Sequence, residues 1–232
     1  FCVLSSAMYL LNDLADRPED RRHPTKSRRP IASGALPPTI AWLGALGLGL
    51  GGLGAAFWLR PEFGLVSLGF VALLAAYSQV LKQVVILDVL TIAAGFVLRA
   101  MAGAVVIGVP ISQWLLVCTV VLALFLGLSK RRRELTLLGP EATGHRQILE
   151  EYNPQLLDQL IAIAAAATLV SYAFYTMEPA TVEKFGTSRL TLTLPFPVYG
   201  VFRYLYLIYQ RDGGGSPSEI LLWDRPLLTC VA

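Results

Sequence analysis

Residues 38–59 read PTIAWLGALGLGLGGLGAAFWL, an unbroken apolar stretch without one charged side chain. Crossing the hydrocarbon of a bilayer at ~1.5 Å of helix rise per residue takes about 20 residues, so this stretch reads as a transmembrane helix. Its glycines, Gly44, Gly47, Gly49, Gly51, Gly52 and Gly54, are small residues that let helices approach closely. A glycine-rich phosphate loop is excluded, because the stretch lies within the bilayer. Working outward, similar apolar runs occupy residues 63–77, 84–109, 114–129, 156–177 and 190–209, which makes six expected spans. The composition agrees: 55% of residues are hydrophobic and 15% charged, far from the balance of a soluble domain. The chain opens without Met inside an apolar helix, Phe1 to Leu11, and closes as another apolar run begins at Leu227. Both ends are therefore expected to be cut, and no signal peptide needs subtracting.

Short cytoplasmic loops collect Lys and Arg, which gives the spans an expected orientation. Arg17, Arg21, Arg22, Lys26, Arg28 and Arg29 follow the first helix, Lys82 the third, Lys130 to Arg133 with Arg146 the fifth, and Arg211 the seventh. These loops alternate onto one face, read as cytoplasmic, while Arg60, Lys184 and Arg189 fall on the other. Cys2, Cys118 and Cys230 lie in apolar runs with no pairing or metal spacing, and His23 and His145 show no ligand pattern. Nothing in the chain points to nucleic acid, and no soluble second domain or fixed-period repeat is visible.

The polar end of the first helix carries Asn12-Asp13-x-x-Asp16-x-x-x-Asp20, followed at once by the basic residues just named. Carboxylates contribute little to topology, so this cluster needs another reason. On a continuous helix Asp13, Asp16 and Asp20 would share a face and could hold one hard cation, with Asn12 orienting a ligand or binding a hydroxyl. Mg2+ usually completes its octahedron with water and substrate phosphates, so a diphosphate substrate fits. Pro18 lacks an amide hydrogen and should kink the helix, which leaves the direct ligands open. The loop from Asp16 to Pro37, with its several prolines and Gly34, reads as an ordered, partly helical cap.

Polyphosphate also needs cations. Lys26, Arg28, Arg29 and Lys82 are candidates near the acidic motif, as are Lys130, Arg131 and Arg133 at a later helix end, where Glu134 can pair with Lys130 at i, i+4. The run from Lys130 to Arg133 reads either as a phosphate site or as an interfacial anchor. Asp88 is either a second metal contact or the counter-charge of Arg99 or Lys82. Arg203 and Arg99 sit inside apolar runs, where an ionisable group is costly; Arg203 is expected to line a cavity, and Arg99 is open between that role and a structural ion pair. Tyr204, Tyr206 and Tyr209 read as interfacial belt residues.

Taken together these residues resemble the UbiA superfamily of intramembrane prenyltransferases. The resemblance runs through the whole chain. It is carried by Asn12 to Asp20, by His23-Pro24-x-Lys26-x-x-Arg29-Pro30-Ile31-Ala32-Ser33-Gly34, by Tyr77-Ser78 with Leu81-Lys82, and by Leu87-Asp88. Gly95-Phe96-x-x-Arg99, Lys130-Arg131-x-x-Glu134-Leu135 and Arg203-Tyr204-Leu205 complete it. It implies an all-α, polytopic transmembrane bundle of nine helices, here without the first and with the last truncated, forming one transferase domain over 1–232. It also implies Mg2+ as cofactor, bound by Asp13, Asp16 and Asp20. Aromatic prenyltransferases of the superfamily carry a second Asp-rich motif where this chain has Ser129-Lys130-Arg131-Arg132-Arg133-Glu134, and their Tyr-x-x-x-Lys pattern is displaced here, with Lys82 five residues after Tyr77.

A cationic run in place of acids suits a second anionic substrate. The resemblance thus implies the branch that takes 5-phosphoribosyl diphosphate from the cytoplasm as donor and a polyprenyl (decaprenyl) phosphate as acceptor, at the plasma membrane. Its product would feed cell-wall arabinogalactan, and the resemblance leaves room for a homo-oligomer. Transfer of an isoprenyl group to an aromatic acceptor is the alternative within the superfamily. A transporter is the alternative outside it, and would place polar residues at mid-membrane depth rather than on one face.

Overall fold

The computed structural model describes residues 1–22, 26–138, 151–211 and 217–231. Every regular element among them is helical: α1 (Cys2–Ala15), α2 (Arg17–Asp20), α3 (Pro30–Ser33), α4 (Pro38–Leu59), α5 (Pro61–Gln79), α6 (Leu87–Ile107), α7 (Gln113–Leu138), α8 (Pro154–Met177), α9 (Pro179–Phe185), α10 (Pro195–Gln210), α11 (Pro217–Trp223) and α12 (Arg225–Val231). Five of these, α4 to α8, are long and apolar enough to cross a bilayer. The fold class is the all-α, polytopic membrane bundle that the sequence led us to expect.

Prolines set many of the boundaries. Pro38, Pro61, Pro154, Pro179 and Pro195 stand in the first turn of their helices, where a missing amide hydrogen costs nothing. The sixth expected span, 190–209, is corrected by the same chemistry. Residues Arg189–Thr193 form a 3-10 turn, and α10 begins only at Pro195, which leaves 16 residues or about 24 Å of helix. That falls short of the ~30 Å hydrocarbon core.

The chain divides into two compact units. The first comprises Phe1–Thr91 with Leu98–Pro110, hence α1 to α5 and most of α6. Here α1 lies along α4, burying Leu4, Ala7 and Met8 of the one and Ala41 and Ala45 of the other. Gly52 is what permits the approach, for a Cβ at that position would stand 2.8 Å from Leu4 Cδ2. Of the α4 glycines only Gly52 is needed for close packing, against Leu4; a Cβ at Gly47, Gly51 or Gly54 would meet nothing within 4 Å. Ala56, Phe63 and Ala102 form a buried cluster, joined by Phe1 and Val105, and the Phe1 ring lies 4.9 Å from that of Phe70. Arg60 donates from Nη1 to the Val105 carbonyl at 2.8 Å, satisfying a carbonyl of the last turn of α6. Gly108 then ends that helix in the left-handed region.

The second unit holds α7 and the helices after it. Leu157, Ile161, Ala164 and Ala165 of α8 are buried together with Ala123, Phe125 and Leu128 of α7, and the Phe125 ring meets Tyr204 of α10 edge-on at 5.4 Å. Outward from both units stand large apolar side chains such as Leu43, Leu65, Ile163 and Trp58. Apolar exposure on this scale suits acyl chains rather than water.

Candidate active site

Past Leu11 the first helix turns polar, and Pro18 breaks it. Helix α1 stops at Ala15, Asp16 caps it, and α2 starts at Arg17 with Pro18 in its first turn. Asp13 therefore belongs to α1, Asp16 to the junction and Asp20 to the end of α2, so the three carboxylates are not presented by one straight helix. The expected cap over this end is present as α2, a 3-10 turn at Lys26–Arg28, and α3 closed by Gly34 at φ +87°. Arg21 Nε donates to the Ala32 carbonyl at 3.0 Å and ties α2 to α3. His23 and Pro24 lie outside the described residues.

This folding brings Arg29 over the acids. Its Nη1 donates to Asp13 Oδ1 at 2.8 Å and to Asp20 Oδ2 at 2.9 Å, so two carboxylates converge on one positive nitrogen. Asp20 is buried. Asp13 lies in the last turn of α1, past its apolar part, and its carboxyl is pushed above the usual carboxylate value. Burial is the main cause; the Arg29 guanidinium opposes it, Asp20 and Asp16 add to it, and Lys26 opposes it again.

The third carboxylate is held differently. Asp16 Oδ2 accepts from Asn12 Nδ2 at 3.0 Å, and its Oδ1 accepts from Lys82 Nζ. Asn12 is itself oriented, since its Oδ1 accepts from Ser78 Oγ at 3.1 Å. Ser78 at the end of α5 and Lys82 in the 3-10 turn after it thus fix Asn12 and Asp16 from across the unit. Lys82 was expected near this cluster from the sequence. Ser78 was not, because no spacing rule relates a serine to an asparagine 66 positions away.

Among the described residues no three of His, Cys, Asp and Glu gather closely enough to share a metal ion. The convergence that does exist is the pair Asp13 and Asp20 on Arg29 Nη1. Since Mg2+ is commonly bound by one or two carboxylates with substrate phosphates filling the rest, this donor pair suits such an ion. Of the other candidates in this unit, Lys26 is half-buried and Arg28 exposed. Asp88 is fully buried at the start of α6. Arg99 faces outward, donating to Ser5 Oγ at 3.2 Å and lying 5.8 Å over the Phe70 ring.

In the second unit the basic run rides the end of α7 as unbroken helix. Lys130 is exposed, whereas Arg131 is buried and donates to Glu134 Oε2 at 2.6 Å. Arg132 donates from Nε to Asp158 Oδ1 at 2.5 Å and stacks 4.4 Å from the centre of the Tyr209 ring, while Tyr209 OH donates to the same Asp158 oxygen at 3.0 Å. Arg133 is half-buried. Arg203, read as a cavity residue, forks onto Asp224, from Nε at 3.2 Å to Oδ1 and from Nη2 at 2.8 Å to Oδ2. That hydrogen bond holds the Asp224 carboxyl below its ordinary value, against a smaller effect of burial. Asp224 also caps α12 by accepting from Leu227 N at 2.9 Å. Asp158 escaped the sequence reading, and Tyr209 entered it only as a belt residue.

Fold and site together define a polytopic helical membrane protein whose carboxylates and cations gather at the polar end of an apolar helix. The model of the UbiA prenyltransferase family matches residues 1–131, and the chain belongs to that family. It is 34% identical over 236 residues to the decaprenyl-phosphate phosphoribosyltransferase of Mycolicibacterium smegmatis, covering 98% of this chain and 73% of that one. The protein of the same name from Corynebacterium glutamicum is 34% identical over 230 residues, covering 98% and 69%. The nodulation protein NoeC of Azorhizobium caulinodans is 31% identical over 239 residues, covering 100% and 76%.

Proposed function

We propose that the chain transfers the 5-phosphoribosyl group from 5-phosphoribosyl diphosphate to decaprenyl phosphate, releasing diphosphate, as a Mg2+-dependent pentosyltransferase. The observation that carries this is the convergence of Asp13 and Asp20 on a single cationic nitrogen, beside Asp16 held by Lys82. The names of the relatives support the choice of substrates, and so does a cationic run where a second acidic motif would serve an isoprenyl diphosphate.

When bound, Mg2+ would supply Lewis-acid neutralisation of the departing diphosphate. Asp13 and Asp20 would hold it. Asp16, fixed by Asn12 and Lys82, keeps Lys82 aimed along the same polar helix end, where its ammonium can meet a phosphate oxygen. Arg29 and Lys26 offer further positive charge to the diphosphate or to the ribose 5-phosphate. The acceptor is already anionic at neutral pH, so its phosphate oxygen needs no general base. That oxygen forms the new bond to ribose C1 as the C1–O bond to diphosphate breaks, the bonding pair leaves with diphosphate, and C1 is inverted. Positioning and electrostatics therefore carry the catalysis.

The charge distribution among the loops favours a site on the cytoplasmic face of the plasma membrane, where the donor is made available. The product suits a cell-wall arabinogalactan pathway. Membranes containing the chain, given radiolabelled 5-phosphoribosyl diphosphate, decaprenyl phosphate and Mg2+, should yield a labelled lipid that disappears with EDTA. Labelled lipid formed only from an isoprenyl diphosphate and an aromatic acceptor would overturn the proposal.

A further inference from the structure

Four consecutive cations on a helix cannot all face one ligand, because successive side chains diverge by about 100°. Which of Lys130 to Arg133 reach a substrate depends on how α7 is rotated about its axis. Along the apolar length of α7 the packing of Ala123, Phe125 and Leu128 fixes that rotation, and at the polar end Arg132 pins it. Its guanidinium is gripped by Asp158, from the first turns of α8, and covered by the Tyr209 ring of α10, whose hydroxyl donates to the same carboxylate oxygen. The three contacts form one closed set on three helices, so moving any member disturbs the other two. With Arg132 held toward α8 and α10, Arg131 and Arg133 project to its two flanks and Lys130 roughly opposite. Glu134 gives Arg131 a second restraint at 2.6 Å.

The depth of this assembly points to its ligand. The apolar part of α7 gives way to charge at Lys130, at the end of a membrane span, and Tyr209 stands near the end of α10. A phosphate on a polyprenyl chain is held at that same interfacial depth by its own hydrocarbon, while a soluble sugar phosphate has no such constraint.

We propose that Asp158 and Tyr209 are positioning residues: by gripping Arg132 they pin the polar end of α7 in the orientation that presents its cations to the phosphate of a membrane-anchored polyprenyl phosphate. The inference rests on the transferase reading above for its substrate and deepens it. Asp158 and Tyr209 touch Arg132 rather than the substrate, so their loss should weaken acceptor binding and leave donor handling intact.

The full chain in liposomes tests this with Asp158→Asn, Tyr209→Phe and Arg132→Gln. Asp158→Asn is expected to raise the KM for decaprenyl phosphate about fivefold while the KM for 5-phosphoribosyl diphosphate stays within about twofold. The double variant Arg132→Gln with Asp158→Asn should be no worse than its poorer single, since both remove one contact. Tyr209→Phe, which keeps the ring, should show a smaller rise in the same constant. Acceptor constants unchanged in all three, or both KM values and the melting temperature moving together, would overturn the positioning role. Binding of radiolabelled decaprenyl phosphate to the same liposomes reads the contact without turnover. Wild-type chain that binds the lipid phosphate, loses affinity in Asp158→Asn, yet makes no phosphoribosyl product would overturn the transferase reading and uphold this one. Wild-type chain that does not bind the lipid phosphate would overturn this one.

Discussion

The polar end of α1 and the cationic end of α7 solve opposite problems with the same charges. At α1 three carboxylates cluster, and the cations Arg29 and Lys82 offset their mutual repulsion. At α7 the cations cluster, and the carboxylates of Glu134 and Asp158 hold Arg131 and Arg132 in place. The backbone differs accordingly. The acidic end is broken by Pro18 into α1 and α2 and folded under a cap, so that carboxylates 16 and 9 positions before Arg29 meet on its guanidinium. The basic end stays a continuous 26-residue helix, and partners come to it from α8 and α10. Like charges close in sequence need either a bent backbone or an outside counter-charge, and this chain uses one device at each place.

The comparison breaks most decisively at Asp20. Asp20→Asn keeps the shape but removes the charge of a buried carboxylate that Arg29 and the expected ion share; we expect a loss of about 10²- to 10³-fold in Mg2+-dependent rate with the protein still folded, measured as initial rates on purified chain beside its helical circular dichroism. A fully active Asp20→Asn protein would remove the acidic end from the chemistry. Next in size is a purely structural effect. Gly52→Leu drives a side chain into Leu4 and should cost about 1–3 kcal/mol of stability, read as a lower melting temperature in detergent, because α1 must move off α4 and carry the aspartates with it.

Smaller again, Ser78→Ala frees the Asn12 amide to turn. One hydrogen bond of this kind is worth about 1 kcal/mol, so a rate loss of about fivefold is expected, with the Mg2+ concentration for half-maximal activity raised in parallel. The smallest effect sharpens the second region. The Asp224 carboxyl is held below its ordinary value of 3.8 by Arg203, so its contribution to stability is complete above that pH and is lost only as pH falls through the lower folded-state value. Asp224→Asn should therefore lower the melting temperature slightly at pH 7 and flatten its acid dependence below about pH 4, as a pH series of thermal melts would record.

Much of this is legible in the sequence, for specific reasons. The span 38–59 coincides with α4 because Pro38 can only begin a helix and Arg60 cannot stay in hydrocarbon. The cap between Asp16 and Pro37 is legible from its prolines. Hydropathy misreads the span 190–209 because it counts apolar residues without asking whether Pro195 lets them share one helix. Glu134 was expected to pair with Lys130 at i, i+4; that Arg131 at i, i+3 also donates to it could not be read from spacing, because both positions lie within reach on a helix. Arg203 stands out as a charge in an apolar run, but its partner Asp224, in the turn before α12, cannot be paired with it from the chain alone.

By itself the order of residues determined a bilayer protein, its long apolar helices from α4 to α8, and the charges gathered beyond Leu11 and at Lys130, because hydrophobic length and local charge are properties of short segments. Only the tertiary structure decided that Asp13 and Asp20 share Arg29, that Ser78 steers Asn12, and that Asp158 with Tyr209 grips Arg132. Those pairings depend on the angles at which separate helices pack, and packing angles are set by residues such as Gly52 and Leu4 that carry no chemical label of the site they bring together.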